Sequence, residues 1–309
     1  MTDPARRRRA REVDQRLAWL SLGRGGIHFE NIRFIPPLVD RALRLMGLFD
    51  RAVRQAARPR MRHVILPCPR LPDALEGFTI LHLSDLHLDG MPGLSERVID
   101  LIQDLQADLC VLTGDYRFDI FGPCDNAAHH LGRLIPALKA RLGVYGVLGN
   151  HDFAELVPAL EGLGVTVLSN RGLTVGAPGA SLWLAGVDDP HYYQADDLPA
   201  ALAGRPSGAF TILLAHSPEL FREAGESGVD TYLCGHTHGG QFRLPIIGPI
   251  WTNASCPRRM TLGAWTHRGV RGYTHAGTGS SGVAARLNCP PEVVLLQLVK
   301  DRGERRNHG

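Results

Sequence analysis

An amide, an imidazole and a carboxylate stand in consecutive positions at Gly149-Asn150-His151-Asp152. Groups this different suit different tasks. A neutral amide oxygen suits a hard or borderline divalent cation, the imidazole can donate a proton to a group that the cation holds, and the carboxylate can orient the imidazole. Alone the stretch is a weak signal, because Asn, His and Asp are all common turn residues. The same chemistry recurs at Asp85-x-His87, Gly114-Asp115, His216 and Gly235-His236-x-His238. The combined set of carboxylates, one amide and several imidazoles contains no thiolate. It suits Mn²⁺, Fe or Zn²⁺, Mn²⁺ first, and not a structural cysteine zinc site. It also exceeds what one four-coordinate ion takes. Two cations ~3.5–4 Å apart, sharing one carboxylate, would use all of it, grip the oxygens of a phosphoryl group and acidify an attacking water.

These residues span more than 150 positions, so strands must bring them together. Each group follows directly on a short apolar run that reads as a strand: Thr79–Leu83, Asp108–Thr113, Val144–Leu148, Phe210–Ala215 and Val229–Cys234. In open α/β sheets, ligands bind at the carboxyl ends of strands, so five loops can converge on one point. Helices are expected at Ser95–Gln106, capped by Ser95, at Asn126–Arg141 with a break at Pro136, at Phe153–Glu161 and near Asp196–Ala203. Further strands are expected at Val165–Leu168, Leu182–Val187 and Pro291–Val299. The Gly-rich stretch before Pro291 reads as irregular.

The chain of 309 residues is long enough for one large domain with a real core. Its net charge of +3 conceals an asymmetry: residues 1–62 hold 15 Arg and six acidic residues, a net +9, against −6 for the remainder. A basic arm on an acidic body implies an anionic partner for the arm, a membrane surface or nucleic acid. The six cysteines form no C-x-x-C pair, which fits a reducing compartment without a disulfide framework. No apolar run approaches the ~18 residues that span a bilayer. Arg6–Arg9 are followed by no apolar segment, so an export signal is not expected.

Within the arm, a short helix is expected over 13–22. Residues 38–57 show a clear helical period, with Leu38, Val39, Ala42, Leu43, Met46, Phe49 and Val53 on one side and Asp40, Arg41, Arg44, Arg51 and Arg54 on the other. Such a helix docks on its own domain or lies in an anionic membrane interface. Pro59, Pro67, Pro69 and Pro72 read as a linker. The division expected is therefore an extension and linker over 1–72, a catalytic domain over 73–300 and a polar tail over 301–309.

The five motifs, in this order, resemble the calcineurin-like metallophosphoesterases over about residues 76–299. Gly235 to Gln241 with Leu244-Pro245, Gly186-Val187-Asp188-Asp189, and the ending from Gly277 to Pro291-Glu292 look like the YaeI/YkuE-like bacterial phosphodiesterases. The resemblance implies an α/β fold, a four-layer α-β-β-α sandwich of two mixed sheets, here with a basic amphipathic extension. It implies that Asp85, His87 and His238 hold one divalent cation and Asn150, His216 and His236 a second, with Asp115 bridging. His151 becomes the general acid and Asp152 its orienting partner.

The activity implied is hydrolysis of a phosphodiester or pyrophosphate by a metal-activated hydroxide. The expected place is the cytoplasmic face of a membrane, and the expected substrate is lipid-linked or nucleotide-linked, such as UDP-diacylglucosamine. The alternatives are a general soluble phosphodiesterase, a nuclease, or a binding module that keeps the fold without catalysis. The intact donor set argues against the last. Nucleic acid is disfavoured because the arm's few aromatics (Trp19, Phe29, Phe34, Phe49) build no stacking platform. His191, after Asp188-Asp189-Pro190, is a candidate substrate contact. The apolar loop after His238 offers Ile246, Ile247, Ile250 and Trp251 as a rim for an acyl chain.

Overall fold

The computed structural model describes residues 8–9, 12, 22–23, 26–27, 35–120 and 123–302. The tail beyond Arg302 and most of the helix expected over 13–22 lie outside the described residues. In chain order the main elements are α1 (Ile35–Leu45), α2 (Phe49–Ala56), β1 (Arg60–Cys68), β2 (Thr79–Leu83), α3 (Leu94–Ile102), β3 (Leu109–Leu112), α4 (Asp125–Leu134), β4 (Val144–Gly146), α5 (Val157–Gly162) and β5 (Val165–Val167). The second half adds β6 (Arg171–Ala177), β7 (Ala180–Gly186), α6 (Leu198–Leu202), β8 (Thr211–Leu214), α7 (Phe221–Glu226) and β9 (Thr231–Cys234). It closes with β10 (Arg243–Leu244), β11 (Gly248–Pro249), β12 (Gly263–His267), β13 (Val270–Thr274) and β14 (Glu292–Lys300).

Two six-stranded mixed sheets result, in the orders β1-β14-β2-β3-β4-β5 and β12-β13-β9-β8-β7-β6. Alternation of side chains along each strand assembles the layers. In β3, Leu109 and Val111 face the core between the sheets, while Cys110 and Leu112 face the helical side with Val98, Ile102 and Leu131. In β8, Ile212 and Leu214 enter the same central core, and Leu213 packs outward with Phe221 and Ala224. Strands buried on both faces read as continuous apolar runs, and each such side chain contributes ~1.5–3 kcal/mol by leaving water. This is the α-β-β-α sandwich that the motifs implied.

The amino-terminal third departs from the sequence reading in three ways. Residues 60–68, read from their prolines as part of a linker, form β1, paired in parallel with β14 along its whole length. Proline is tolerated on such an edge strand, and the exposed residues Arg60, Arg62 and His63 conceal the alternation. The single helix expected over 38–57 is two helices, parted at Gly47. There the amides of Gly47 and Leu48 bond the carbonyls of Arg44 and Leu43, a helix-ending pattern that glycine permits at its φ of 68°. Helix α1 also starts earlier, with Pro36 and Pro37 in its first turn, where a missing amide costs nothing.

Two smaller differences lie in the body. Ser95 is not the cap of α3; Gly93 occupies that position, and the Ser95 hydroxyl lies 3.0 Å from His130 Nδ1. The stretch read as irregular contains the hairpin β12–β13, turned at Arg268-Gly269 with both φ values positive. Among the described residues no helix is long and apolar enough to cross a membrane.

Candidate metal centre

The residues of interest sit on the turns that leave β2, β3, β4, β8 and β9, and these turns are packed too tightly for ordinary geometry. Asp85, His87, Asp115, His236 and His238 all adopt φ between 40° and 70°, a region that costs a non-glycine residue ~1–3 kcal/mol. A Cβ on Gly149 would overlap Asp115 Oδ1, and one on Gly235 would overlap Ser84 Oγ and Asp85 Oδ2. The glycines of the motifs are therefore there for close approach of backbones.

Asp115 lies at the middle. Its Oδ2 is 3.6 Å from His87 Nε2, 3.3 Å from His216 Nε2 and 3.8 Å from His151 Nε2. On one side, His238 Nε2 lies 3.3 Å from both Asp85 Oδ1 and His87 Nε2. On the other, Asn150 Oδ1 lies 3.0 Å from His216 Nε2 and 3.0 Å from His236 Nδ1. Three overlapping donor groups, Asp85/His87/His238, His87/Asp115/His151 and Asp85/Asp115/His216, each have their ligand atoms within 4.8 Å of one another. The donors thus fall into two adjoining sets with Asp115 between them, all of them buried.

The imidazole tautomers fit cation binding. His87 Nδ1 donates to the Arg117 carbonyl at 2.7 Å, His216 Nδ1 to that of Thr113 at 2.7 Å, and His236 Nε2 to that of Asn253 at 2.8 Å. In each neutral ring the nitrogen facing the cluster then keeps its lone pair. His238 is the exception: Arg286 Nη2 donates to its Nδ1 at 2.8 Å, which leaves the neutral ring's proton on Nε2, so a cation at Nε2 would require the other tautomer and a turn of Arg286 away from Nδ1.

Charge is shared unevenly in this cluster. Burial works against the imidazolium of His216, but the Asp115 carboxylate outweighs it and pushes the group up to about 10. Burial likewise opposes ionisation of Asp115, yet His216 and His151 hold its carboxyl well below the usual range. Burial pushes Asp85 up to about 6. Burial and the neighbouring His151 drive His87 down to about 3.

Asp152 has a different task from the one expected. Its carboxylate accepts the backbone amides of Gly149 at 2.8 Å, Asp115 at 2.8 Å and Tyr116 at 2.9 Å. With its oxygens spent on backbone, it locks two loops together and does not orient the imidazole. His151 Nδ1 donates instead to the Phe118 carbonyl at 2.7 Å, and its Nε2 lies 3.4 Å from Ser281 Oγ. His191 is also displaced from its expected place. It is buried behind His236, ring centres 4.2 Å apart, with Nδ1 2.8 Å from Glu219 Oε1, because Asp189 folds the 189–193 turn inward by accepting the amides of Tyr192 and Tyr193.

A cleft of about 580 Å³ opens over the cluster. Asp115, Asn150, His151, His236 and His238 form its polar end, and Val39, Leu43, Leu48, Phe242, Leu244, Ile250 and Trp251 its walls. Ile250 and Trp251 line this cleft. Ile246 and Ile247 do not line it; they are exposed at the tip of the β10–β11 hairpin. The Arg286 contact and the Phe118 carbonyl escaped the sequence reading, apart from the Gly277–Pro291 segment that holds Arg286; the apolar face of α1 was legible there, but not its place on the cleft wall.

Residues 78–240 match the family model described as calcineurin-like phosphoesterase. The chain is similar to the Escherichia coli protein named phosphodiesterase YaeI, at 33% identity over 72% of this chain and 82% of that protein. It is 31% identical to a Bacillus subtilis protein named uncharacterized metallophosphoesterase YkuE, over 74% of this chain and 81% of the relative. A Danio rerio protein named transmembrane protein with metallophosphoesterase domain is 30% identical over 84% of this chain, a match that spans 61% of that protein's length.

Proposed function

This chain belongs to the calcineurin-like phosphoesterase family, and from that premise we propose that it is a two-cation phosphodiesterase or pyrophosphatase acting on a lipid-linked substrate at a membrane surface. Asp85, His87 and His238 would hold one divalent cation and Asn150, His216 and His236 the other, with Asp115 between the two donor sets. Bound Mn²⁺ or a similar cation supplies positive charge for the phosphoryl oxygens and acidifies the attacking water.

The chain's own residues do the rest. His151 presents Nε2 to the cleft because its Nδ1 is committed to the Phe118 carbonyl. When protonated, Nε2 gives its proton to the departing oxygen as a general acid. Its backbone amide donates to Asp115 Oδ1 at 2.9 Å, which ties the acid to the carboxylate between the two donor sets. The carbonyls of Arg117, Thr113 and Asn253 keep the three imidazoles turned toward the phosphoryl position.

The observation that carries the substrate class is the cleft, apolar along its walls and polar only at the metal end. A lipid chain in it would exchange water for Val39, Phe242, Ile250 and Trp251, each contact of this size contributing ~1.5–3 kcal/mol. Exposed Leu38, Leu45, Met46, Ile246 and Ile247 belong to the same two elements that wall the cleft. Large apolar side chains beside arginines fit an anionic bilayer surface. A UDP-diacylglucosamine-type molecule offers a pyrophosphate for the polar end and acyl chains for the apolar walls.

The test is a Mn²⁺-replete comparison of lipid-linked pyrophosphates with short soluble diesters. Preference for the lipid substrate, reduced selectively by Trp251→Ser, supports the reading. Equal rates on both classes, with Trp251→Ser affecting both alike, would leave a general phosphodiesterase.

A further inference from the structure

Arg8, within the arginine run at the start of the chain, is buried at 3% exposure. A buried guanidinium must spend its donors on protein groups. Arg8 Nη1 donates to Asp188 Oδ1, its Nη2 to the Asp152 carbonyl and, at 3.2 Å, to the Gly149 carbonyl. Its Nε donates to Glu12 Oε1 at 2.9 Å, and the guanidinium lies 4.3 Å from the centre of the Tyr193 ring. Glu12 Oε1 in turn accepts the Ala154 amide at 3.0 Å. The Tyr193 hydroxyl donates to the Asn150 carbonyl at 3.3 Å.

The pattern has one consequence for the turn at 149–152. Its carbonyls at 149, 150 and 152 are all drawn to one side, by Arg8 and Tyr193. Its side chains at Asn150 and His151 face the other side, into the metal centre. Asp152 already ties the amides of Gly149, Asp115 and Tyr116, and Asp115 Oδ1 ties the amide of His151, so the remaining freedom of the turn is a rotation of its flanking peptide planes, 149–150 and 152–153. The bonds from Arg8 to the carbonyls on both flanks of Asn150-His151 remove that rotation.

We propose that Arg8 is a positioning residue of the active site, a staple from the amino-terminal segment that sets the aim of Asn150 and His151. It rests on the phosphoesterase reading for its kinetic consequence and on geometry alone for its structural one. A planar fork is needed, because one ammonium cannot hold two carbonyls and a carboxylate in these directions. Misaiming a general acid by a fraction of an ångström slows the step that needs its proton. That step matters most when the leaving oxygen is basic.

Full-length Arg8→Lys and Arg8→Ala proteins, loaded with Mn²⁺, are compared on aryl phosphodiesters whose leaving groups run from p-nitrophenol to phenol. Arg8→Lys is expected to lower kcat about tenfold on the phenyl ester and less than threefold on the nitrophenyl ester, with KM within twofold. Guanidinium chloride, but not sodium chloride at equal ionic strength, is expected to restore part of the loss in Arg8→Ala. Hydrogen exchange on the metal-free proteins gives the second reading: amides 149–154 exchange at least tenfold faster in both variants, with β3 and β8 unchanged.

Loss that is equal across leaving groups and follows the folded fraction would make Arg8 merely structural and overturn the proposal. Wild-type kinetics and wild-type exchange in both variants would overturn it as well. If the wild type itself hydrolyses no diester, the phosphoesterase reading fails, and unchanged exchange of 149–154 would still sink the staple on its own.

Discussion

His216 Nε2 lies 3.3 Å from Asp115 Oδ2, a buried histidine–carboxylate contact at the middle of the metal centre. Asp115 pushes His216 up to about 10, from a value near 6.5 in an unfolded chain. A group raised on folding lends stability that is fully present below its unfolded pKa and is lost as pH climbs through its folded pKa. Metal-free protein should therefore lose melting temperature between pH 7 and 9. Bound cation takes over from the proton, so saturating Mn²⁺ should flatten that slope. Calorimetric titration in two buffers should also report proton release on Mn²⁺ binding at pH 7.5. A metal-free protein whose melting temperature is flat over this range would contradict the coupling.

Asp115 touches both donor sets. Asp115→Ala should abolish diester hydrolysis and lose at least one cation by elemental analysis, whereas His151→Ala should keep both and slow turnover by ~10²–10⁴. Equal metal loss in the two variants would refute the division of roles.

Asp152 holds three backbone amides while buried. Asp152→Ala leaves those amides unsatisfied, at a cost of about 3 kcal/mol or more. The expected outcome is a marked fall in melting temperature together with weakened cation binding. A variant of wild-type stability with only a changed pH–rate profile would restore Asp152 as the orienting partner of His151.

Trp251 lines the cleft and Ile247 does not. Trp251→Ser should raise KM for a lipid-linked substrate roughly tenfold, in line with ~1.5–3 kcal/mol of lost burial, and spare a short diester. Ile247→Ser should leave KM for dispersed substrate unchanged and weaken binding to anionic vesicles. Vesicle flotation and steady-state kinetics on both variants check the division.

The metal-centre residues were legible because each follows an apolar strand, and strand ends in an α/β sheet point to one place. The sandwich followed from the same runs. What escaped has a common cause: it depends on backbone atoms or on edges. The Phe118 carbonyl that orients His151 has no side-chain signature, so the adjacent Asp152 took its place in the reading. Edge strand β1 carries too many exposed polar residues to show its alternation. Arg8 looked like one arginine among many in a basic arm meant for an anionic partner, although it is buried against the 149–152 turn. Removing residues 1–62 would thus strip away Arg8, helix α1 of the cleft wall, helix α2 behind it and the first residues of β1.

Two cations flanking Asp115 would make this chain a phosphodiesterase. The direct measurement is the rate of diester hydrolysis as Mn²⁺ is added back, equivalent by equivalent, to metal-stripped protein. Activity is expected to rise to a plateau at two equivalents in the wild type and to stay absent in Asp115→Ala. Hydrolysis that persists in chelator, or no hydrolysis at any Mn²⁺ loading of a folded protein, would contradict it.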